Sequence, residues 1–147
     1  MSNIKNEFRM TVESRSVNES FVRGTVAAFA AQLDPTLDEI ADIKTAVSEA
    51  VTNCIVHAYA DCVGKIYIHS VLCEGSVIKI KIRDKGCGIA DVKQARVPLF
   101  TTSGGERAGL GFAVMESFCD KLYVRSKVGC GTTVTLIKKI GGRAEND

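Results

Sequence analysis

Residues 78–89, IKIKIRDKGCGI, decide the class of fold that this chain can adopt. Over residues 78–83 three isoleucines alternate with three basic residues, which predicts a strand with one buried face and one solvent-facing side. Asp84 stands at the end of that strand, and Gly86 and Gly88 follow at alternate positions. Such glycines let a ligand approach the backbone closely, and the carboxylate can accept a hydrogen bond from an exocyclic amine. A plain turn explains the same residues equally well.

The same two-residue period recurs on both sides of this strand. Residues 65–72 precede it as a strand, and residues 6–14 alternate more weakly near the N-terminus. Residues 121–127 and 132–138 form a hairpin pattern around a turn at 128–131. Five strands joined mainly by hairpins predict a largely antiparallel sheet.

Helical spacing fills most of the remaining chain. The pattern Ser16–Glu19 resembles a capping box, and the helix that it starts should end at Asp34, which precedes a proline. A second capping box, Thr36–Glu39, starts an apolar stripe that predicts a helix to about Tyr59. A short helix is expected from about Gly109.

The order of elements predicts the architecture. Helices that arrive in a block should cover one face of the sheet, which gives an α+β two-layer sandwich with a mixed, mostly antiparallel sheet. Residues 1–140 are expected to form a single domain and residues 141–147 a disordered tail. Residues 84–108, rich in glycine and polar side chains, form a long segment that we interpret as functional or mobile.

Composition excludes several classes of protein. The 147 residues carry a net charge of +2, and no basic stripe is visible in the sequence, so no direct binding to nucleic acid is expected. The sequence contains no membrane-length apolar run and no signal peptide, which indicates a cytoplasmic protein. None of the six cysteines forms a C-x-x-C pair, so we expect reduced thiols and no zinc site.

A polar ladder interrupts the second predicted helix within EAVTNCIVH, residues 49–57. Glu49, Asn53 and His57 recur at steps of four and so share one helix face. That face could simply be solvated. However, Asn is unfavourable in a helix interior, and apolar residues border the ladder. The alternative is phosphoryl transfer, with Glu49 orienting or deprotonating a hydroxyl, Asn53 as an oxygen ligand for Mg²⁺ on phosphates, and His57 as a hydrogen-bonding group.

A second glycine cluster precedes the third predicted helix. Glycines at a helix start leave amide groups available to phosphate, and Arg107 could bind a terminal phosphate with both guanidinium nitrogens. The residues concerned are Gly109, Leu110 and Gly111. An ordinary loop-to-helix turn is the alternative. No Walker-type nucleotide motif occurs in the sequence.

In order along the chain, four motifs resemble those of the GHKL ATP-binding superfamily, which includes gyrase-type ATPases, the Hsp90 chaperone, mismatch-repair ATPases and histidine kinases. Glu49-x-x-x-Asn53 resembles its N box, DKGCGI at 84–89 and GLG at 109–111 its glycine boxes, and GTT at 131–133 its last motif. Over nearly the whole chain the resemblance is to the anti-sigma factor serine kinases, and among these to the sporulation type. It is carried by ESFVRGTVAAFAAQLDPT (19–36), SEAVTNCIVHAY (48–59), PLFTT (98–102) and GLGFAVME (109–116).

The resemblance implies a Bergerat-type fold and a site for ATP or ADP with Mg²⁺. Asp84 would recognise the adenine amino group, and Thr132 would support the adenine side. Asn53 would hold Mg²⁺ on the phosphates, Arg107 would contact the γ-phosphate, and Glu49 would be the base or orienting group for a substrate serine. Other site residues would be His57 beside the nucleotide, Gly86, Gly88 and Ile89 along the nucleoside, and Gly109, Leu110 and Gly111 along the phosphates.

The resemblance also implies protein partners. These would be a sigma factor and a STAS-type anti-anti-sigma factor that carries the substrate serine, both docking on a surface that includes Glu19 and Arg23. A homodimer that holds one sigma factor is expected.

Other functions compete with this interpretation. A histidine kinase would need a phosphoacceptor histidine on a dimerisation helix, whereas the two histidines lie in the N box and in a predicted strand. A simple ATPase, a nucleotide-sensing sigma-binding protein and an anti-sigma kinase of the general stress response remain open.

Overall fold

A computed structural model describes residues 3–97 and 105–141, and of residues 105–110 only the backbone. Its strands are β1 (Ile4–Glu13), β2 (Lys65–Cys73), β3 (Val77–Asp84), β4 (Lys121–Lys127) and β5 (Gly131–Lys139). Its α-helices are α1 (Val17–Ala30), α2 (Leu37–Asn53), α3 (Val92–Ala95) and α4 (Gly105–Phe118). A 3₁₀ turn, Ala31–Leu33, follows α1, and a π-helical turn, Cys54–Ala58, follows α2.

The strands form one sheet in the order β1-β2-β3-β5-β4. All four pairings between the described strands are antiparallel. β3 lies at the centre, where Ile80 pairs with Ser70 on one side and with Leu136 on the other. The predicted α+β sandwich is confirmed, and its most strongly alternating strand is the central one.

The helices cover one face of this sheet, with α2 packed between α1 and α4. The buried alternate residues of the strands and the apolar stripes of the helices form one core, because each element has a single apolar side to bury. Within the described residues, no helix combines the length and apolar character needed to cross a membrane. Central core residues include Val22, Val26, Ile43, Val47, Val51, Ile68, Ile80, Ile82, Met115 and Leu136.

Only one of the two predicted capping boxes forms. The Thr36 side chain accepts from the Glu39 amide at 3.1 Å, and the Glu39 carboxylate accepts from the Thr36 amide at 2.9 Å. The prediction for Ser16 was wrong: its backbone is helical, and its side chain makes no cap. A capping residue must be extended for its side chain to reach the amides of the first turn, and the Glu19 carboxylate instead pairs with Arg23.

The second helix does not reach Tyr59 as a regular α-helix. After Asn53 it widens into a π-turn, in which the Tyr59 amide donates to the Cys54 carbonyl five residues back, at 3.0 Å. The turn delivers Tyr59 into the core with 8% of its surface exposed. Apolar periodicity does not resolve such a single-residue change in helix phase.

Two differences concern the segment between β3 and β4. The third predicted helix was expected near Gly109, but α4 begins at Gly105, because residues 106–108 (Glu, Arg and Ala) are good helix formers. Sequence analysis also missed the short helix α3. The Asp91 side chain caps α3 by accepting from the Gln94 amide at 3.0 Å.

The face of the sheet opposite the helices is basic. An open cavity there is lined in part by Arg9, Lys81, Arg83 and Arg125. The Arg83 guanidinium lies 5.2 Å from the ring centroid of Tyr67. The sequence shows no basic stripe because these residues come from three different strands, β1, β3 and β4, and meet only when the sheet forms.

Candidate functional site

Asp84 lies at the end of β3 with 5% of its surface exposed. Its Oδ1 accepts the backbone amides of Gly86 at 2.9 Å and of Thr132 at 3.2 Å. The Cys54 thiol lies 3.6 Å from Oδ2 and donates to it. Three segments of chain therefore fix the orientation of the carboxylate, and Oδ2 keeps capacity to accept a second donor.

Burial raises the pKa of the Asp84 carboxyl, and the hydrogen bonds from Gly86, Cys54 and Thr132 oppose that rise. Burial and the neighbouring Asp84 charge also raise the pKa of the Cys54 thiol well above its usual range. Cys54 therefore remains a protonated thiol at neutral pH, which makes it the donor of this pair.

Tyr59 joins the ends of three elements beside this carboxylate. Its hydroxyl donates to the carbonyl of Lys65 at 2.7 Å and accepts from the amide of Lys85 at 2.6 Å. The π-turn positions the ring for both bonds. Burial raises the pKa of the Tyr59 hydroxyl, so it remains a donor at neutral pH.

Two glycines allow backbone segments to meet around Asp84. A Cβ on Gly86 would lie 2.3 Å from the carbonyl oxygen of Ala58. A Cβ on Gly131 would lie 2.1 Å from the carbonyl oxygen of Asp84, and its φ of +118° also favours glycine. The sequence predicts that a ligand approaches the backbone at Gly86, whereas the group that approaches Gly86 in this structure is the backbone of Ala58.

A hydroxyl pair supports the same region from β4 and β5. The Ser126 hydroxyl lies 2.8 Å from the hydroxyl of the buried Thr132 and accepts from the amide of Ile89 at 2.7 Å. Gly88 packs on the same strand end, where its Cβ would lie 2.2 Å from the carbonyl oxygen of Lys127. Thr132 thus contacts Asp84 through its backbone amide, and Ser126 connects Thr132 to Ile89.

The polar ladder on α2 faces α4. A Cβ on Gly111 would lie 3.2 Å from Oε1 of Glu49 and 3.3 Å from both amide atoms of Asn53. Nδ2 of Asn53 is buried and has no hydrogen-bond partner within the described part of the chain. A buried amide without a partner is costly, so the arrangement suits a ligand that supplies an acceptor.

His57 lies in the π-turn and is half-buried. Its Nε2 is shielded from solvent, and its backbone carbonyl accepts from the Cys87 thiol at 3.5 Å. The backbone of His57 therefore contacts the turn after β3. That the His57 side chain flanks a nucleotide stays a prediction.

Other predicted site residues lie in α4. The side chains of Arg107 and Leu110 lie outside the described residues. The backbone places Gly109 and Gly111 in the second turn of α4, where amides normally bond to the preceding turn. The prediction that these glycines stand at the start of the helix was therefore wrong.

Glu19 and Arg23 lie on α1, where their side chains approach to 3.3 Å as an i,i+4 ion pair. Val17 and Phe21 on the same helix are 74% and 56% exposed. Val17 and Phe21 lie two positions from Glu19 and Arg23, so they project from a different side of α1. The ion pair borders the buried face that contains Val22 and Val26, whereas Val17 and Phe21 face outward.

Three residues that sequence reasoning missed complete the site: Cys54, Tyr59 and Ser126. Each acts through a side-chain hydrogen bond to another segment, which no local pattern signals.

The site can thus offer an oriented carboxylate at one end and a polar helix face at the other. Asn53 and Cys54 are consecutive, so the two ends are adjacent. In the described residues no group of three or more His, Cys, Asp or Glu side chains could hold a metal ion.

Comparison with known families gives one match over most of the chain. Residues 11–138 match the family model described as "Histidine kinase-like ATPase domain". This span contains Glu49, Asn53, Asp84 and Thr132.

Curated relatives are similar over nearly their full length. An "Anti-sigma F factor" of Geobacillus kaustophilus is 52% identical over 138 residues, which are 93% of this chain and 94% of the relative. That of Anoxybacillus flavithermus is 55% identical over 139 residues, with the same coverage. That of Caldanaerobacter subterraneus is 58% identical over 129 residues, 87% of this chain and 90% of the relative.

Solved structures share the fold. The RsbU and RsbW domains of Rv1364c from Mycobacterium tuberculosis match with a TM-score of 0.69 at 22% identity, over 92% of this chain and 32% of theirs. A blue-light activated histidine kinase of Erythrobacter litoralis matches with a TM-score of 0.58 at 19% identity, over 88% of this chain and 43% of its own. The family match and the full-length relatives show that the chain belongs to the histidine kinase-like ATPase domain family and, within it, to the anti-sigma F factors.

Proposed function

We propose that this protein is a sporulation anti-sigma factor that binds a sigma factor and uses ATP to phosphorylate a serine of its anti-anti-sigma partner. The observation that carries the proposal is the adjacency of the buried Asp84 carboxylate and the Glu49–Asn53 face on one side of the sheet. Full-length relatives named anti-sigma F factor support the choice of partner class.

The base of ATP or ADP binds at Asp84. Its Oδ1 is occupied by two backbone amides, so Oδ2 is the atom available to the amino group of adenine. Thr132 and Ile89, which Ser126 links by hydrogen bonds, support the base from the side.

The phosphates bind between α2 and α4. Asn53 fits this role, because its amide can donate to a phosphate oxygen through Nδ2 and ligate Mg²⁺ through Oδ1. When bound, Mg²⁺ supplies charge neutralisation on the phosphates. Arg107 contacts the terminal phosphate, and Gly109, Leu110 and Gly111 line the phosphates from α4.

Glu49 acts on the substrate serine. It lies one helical turn before Asn53 and faces Gly111 across the same gap, next to where the outer phosphate would lie. A carboxylate in this place can orient the serine hydroxyl and accept its proton.

The partners dock on α1 around Glu19 and Arg23. Exposed Val17 and Phe21 supply apolar surface on the outward side of the same helix. We also propose a homodimer that acts in the cytoplasm, where sigma factors meet RNA polymerase. Light scattering of the purified protein measures whether it is a dimer, and light scattering with a sigma factor measures how many sigma factors the dimer binds.

The decisive experiment incubates the protein with labelled ATP, Mg²⁺ and an anti-anti-sigma partner. Label on a partner serine supports the kinase, whereas label released only as free phosphate would identify an ATPase. Glu49→Ala should lower phosphorylation by about two to four orders of magnitude while sigma binding survives. Loss of both in Glu49→Ala would show that Glu49 is structural.

A second variant tests the metal-binding role. Asn53→Ala should abolish binding of Mg-ATP without unfolding the protein, because Asn53 lies outside the apolar core. Calorimetric titration with Mg-ATP and circular dichroism measure these two properties. Unchanged affinity would remove Asn53 from the site.

A further inference from the structure

One contact beside the predicted base site comes from a residue that is not among the predicted site residues. Cys54 is 4% exposed, and its thiol lies 3.6 Å from Oδ2 of Asp84. It is the first residue of the π-turn, and its own carbonyl accepts the amide of Tyr59. Its backbone is therefore fixed by the turn while its side chain points at the carboxylate.

We propose that the Cys54 thiol is a positioning residue, which holds Asp84 as a hydrogen-bond acceptor and thereby makes the site select nucleobases with an exocyclic amine. This inference rests on the proposed role of Asp84 in binding the base. Cys54 does not need to touch the nucleotide, because it acts through the carboxylate.

The hydrogen bonds that Asp84 accepts indicate that Oδ2 is the carboxylate oxygen that Cys54 orients. Both donors on Oδ1 are backbone amides, of Gly86 and Thr132, which no side-chain change removes. The donor on Oδ2 is a side chain, so Oδ2 depends on Cys54 for its orientation. An incoming amine shares Oδ2 with the thiol, since each carboxylate oxygen has two acceptor positions.

Selectivity follows from the charge state of Asp84. An ionised carboxylate only accepts hydrogen bonds, so it attracts the amine of adenine and repels a carbonyl oxygen at the same ring position. A protonated carboxyl can donate to that carbonyl instead. Burial favours the protonated form, and the thiol is one of three donors that oppose it. Without the thiol, the preference for an amine should weaken.

The titratable groups around Asp84 determine how the affinity for the nucleotide would depend on pH. From the π-turn they are Cys54 and the Tyr59 hydroxyl, and from β5 the Thr132 amide. Lys85 follows Asp84 in the chain and directs its Nζ over the Tyr67 ring, at 5.0 Å. Cys54 and Tyr59 remain neutral as their pKa values are raised, so among these groups the Asp84 carboxylate is the one that changes charge in acid. A shift in the acidic profile between the unaltered protein and Cys54→Ala, both of which keep His57, therefore reports Asp84.

The experiment measures the affinities of full-length protein for ADP and for inosine diphosphate, which carries a carbonyl in place of the amine. In Cys54→Ala we expect the affinity for ADP to fall by about three- to tenfold, as for loss of a hydrogen bond to a charged group. The ratio of the affinity for ADP to that for inosine diphosphate should fall by a similar factor. When the solution is acidified, the affinity of Cys54→Ala for ADP should also begin to fall at a higher pH than that of the unaltered protein. Cys54→Ser, which keeps a donor, should restore most of the preference.

Two variants separate this role from packing. Cys54→Val also lacks the donor but fills the space, so it tests the inference if Cys54→Ala does not fold. Cys73→Ala removes another buried thiol at the far end of β2 and should leave both affinities unchanged. If the unaltered protein prefers ADP and the donorless variant keeps the same preference and pH profile, the inference is wrong and the proposed function stands. If the unaltered protein does not bind ADP, the proposed function itself fails.

Discussion

The Tyr59 hydroxyl accepts a 2.6 Å hydrogen bond from the backbone amide of Lys85, the residue that follows Asp84. The same hydroxyl donates to the Lys65 carbonyl at the start of β2. One side chain at the end of the second helix thus fixes where β3 ends, and so where the Asp84 carboxylate stands.

Tyr59→Phe should therefore affect both stability and binding. It leaves a backbone amide and a carbonyl without their partner, which is expected to lower the free energy of unfolding by about 1–3 kcal/mol. ADP affinity should fall as well, since the end of β3 loosens. Urea denaturation and calorimetry measure the two effects. Tyr123→Phe, at a 50% exposed position on β4, serves as the control. Equal behaviour of the two variants would contradict the role of Tyr59.

Asp84→Asn should separate binding from folding. The amide keeps the shape of the carboxylate but points its nitrogen or a weaker acceptor at the base, so ADP affinity should fall by about 10- to 100-fold. The unfolding temperature at pH 7 should be unchanged or higher, because the buried charge is gone. Calorimetry and thermal unfolding test this, and normal ADP affinity would exclude Asp84 from the base site.

Unaltered protein should show the matching pH dependence. Burial raises the pKa of Asp84 in the folded state, so its stabilising contribution is fully present below the unfolded-state pKa and is lost as pH rises through the folded-state pKa. ADP binding needs the ionised form and should run in the opposite direction, weakening as pH falls through the raised pKa. Titrations between pH 4 and about pH 8 check both trends. ADP binding that is insensitive to acid would contradict them.

Much of the fold follows from local patterns. The alternation at 78–83 predicts β3, because a half-buried strand can hide only every second side chain. The Thr36–Glu39 box predicts the start of α2, and its two reciprocal bonds form. The similar pattern at Ser16 fails because the backbone there is already helical, a property that the residue types do not determine.

The site was predictable only in part. Glu49 and Asn53 stand out because polar residues interrupt an apolar helix, and Asp84 because glycines follow it. Cys54 and Ser126 bond to residues 30 and 6 positions away, contacts that depend on how the elements pack. The position of α4 was misjudged at Gly109, since glycine is found both at helix ends and where two helices approach closely.

Gly111→Ala should weaken nucleotide binding because its methyl group displaces site residues, and not because it changes the stability of α4. The added methyl would press on Oε1 of Glu49 and on the Asn53 amide at 3.2–3.3 Å. Gly24→Ala on α1 is the matched control, because its Cβ would meet nothing within 4 Å. Both changes should raise helix propensity by about 0.5–1 kcal/mol. Only Gly111→Ala should lower Mg-ATP affinity in calorimetry, and equal affinities would show that α4 does not face the ligand.

Phe21→Ser on α1 should weaken partner binding without altering stability or ADP affinity. Phe21 is 56% exposed on the outward side of α1, so it contributes little to the core but would bury apolar surface in a complex. A loss of about 10-fold or more in affinity for the sigma factor is expected, measured by surface plasmon resonance. Leu37→Ser, at an 87% exposed position on α2, controls for general loss of apolar surface. If both variants bind like the unaltered protein, the partner docks elsewhere, and α1 is an ordinary solvent-facing helix.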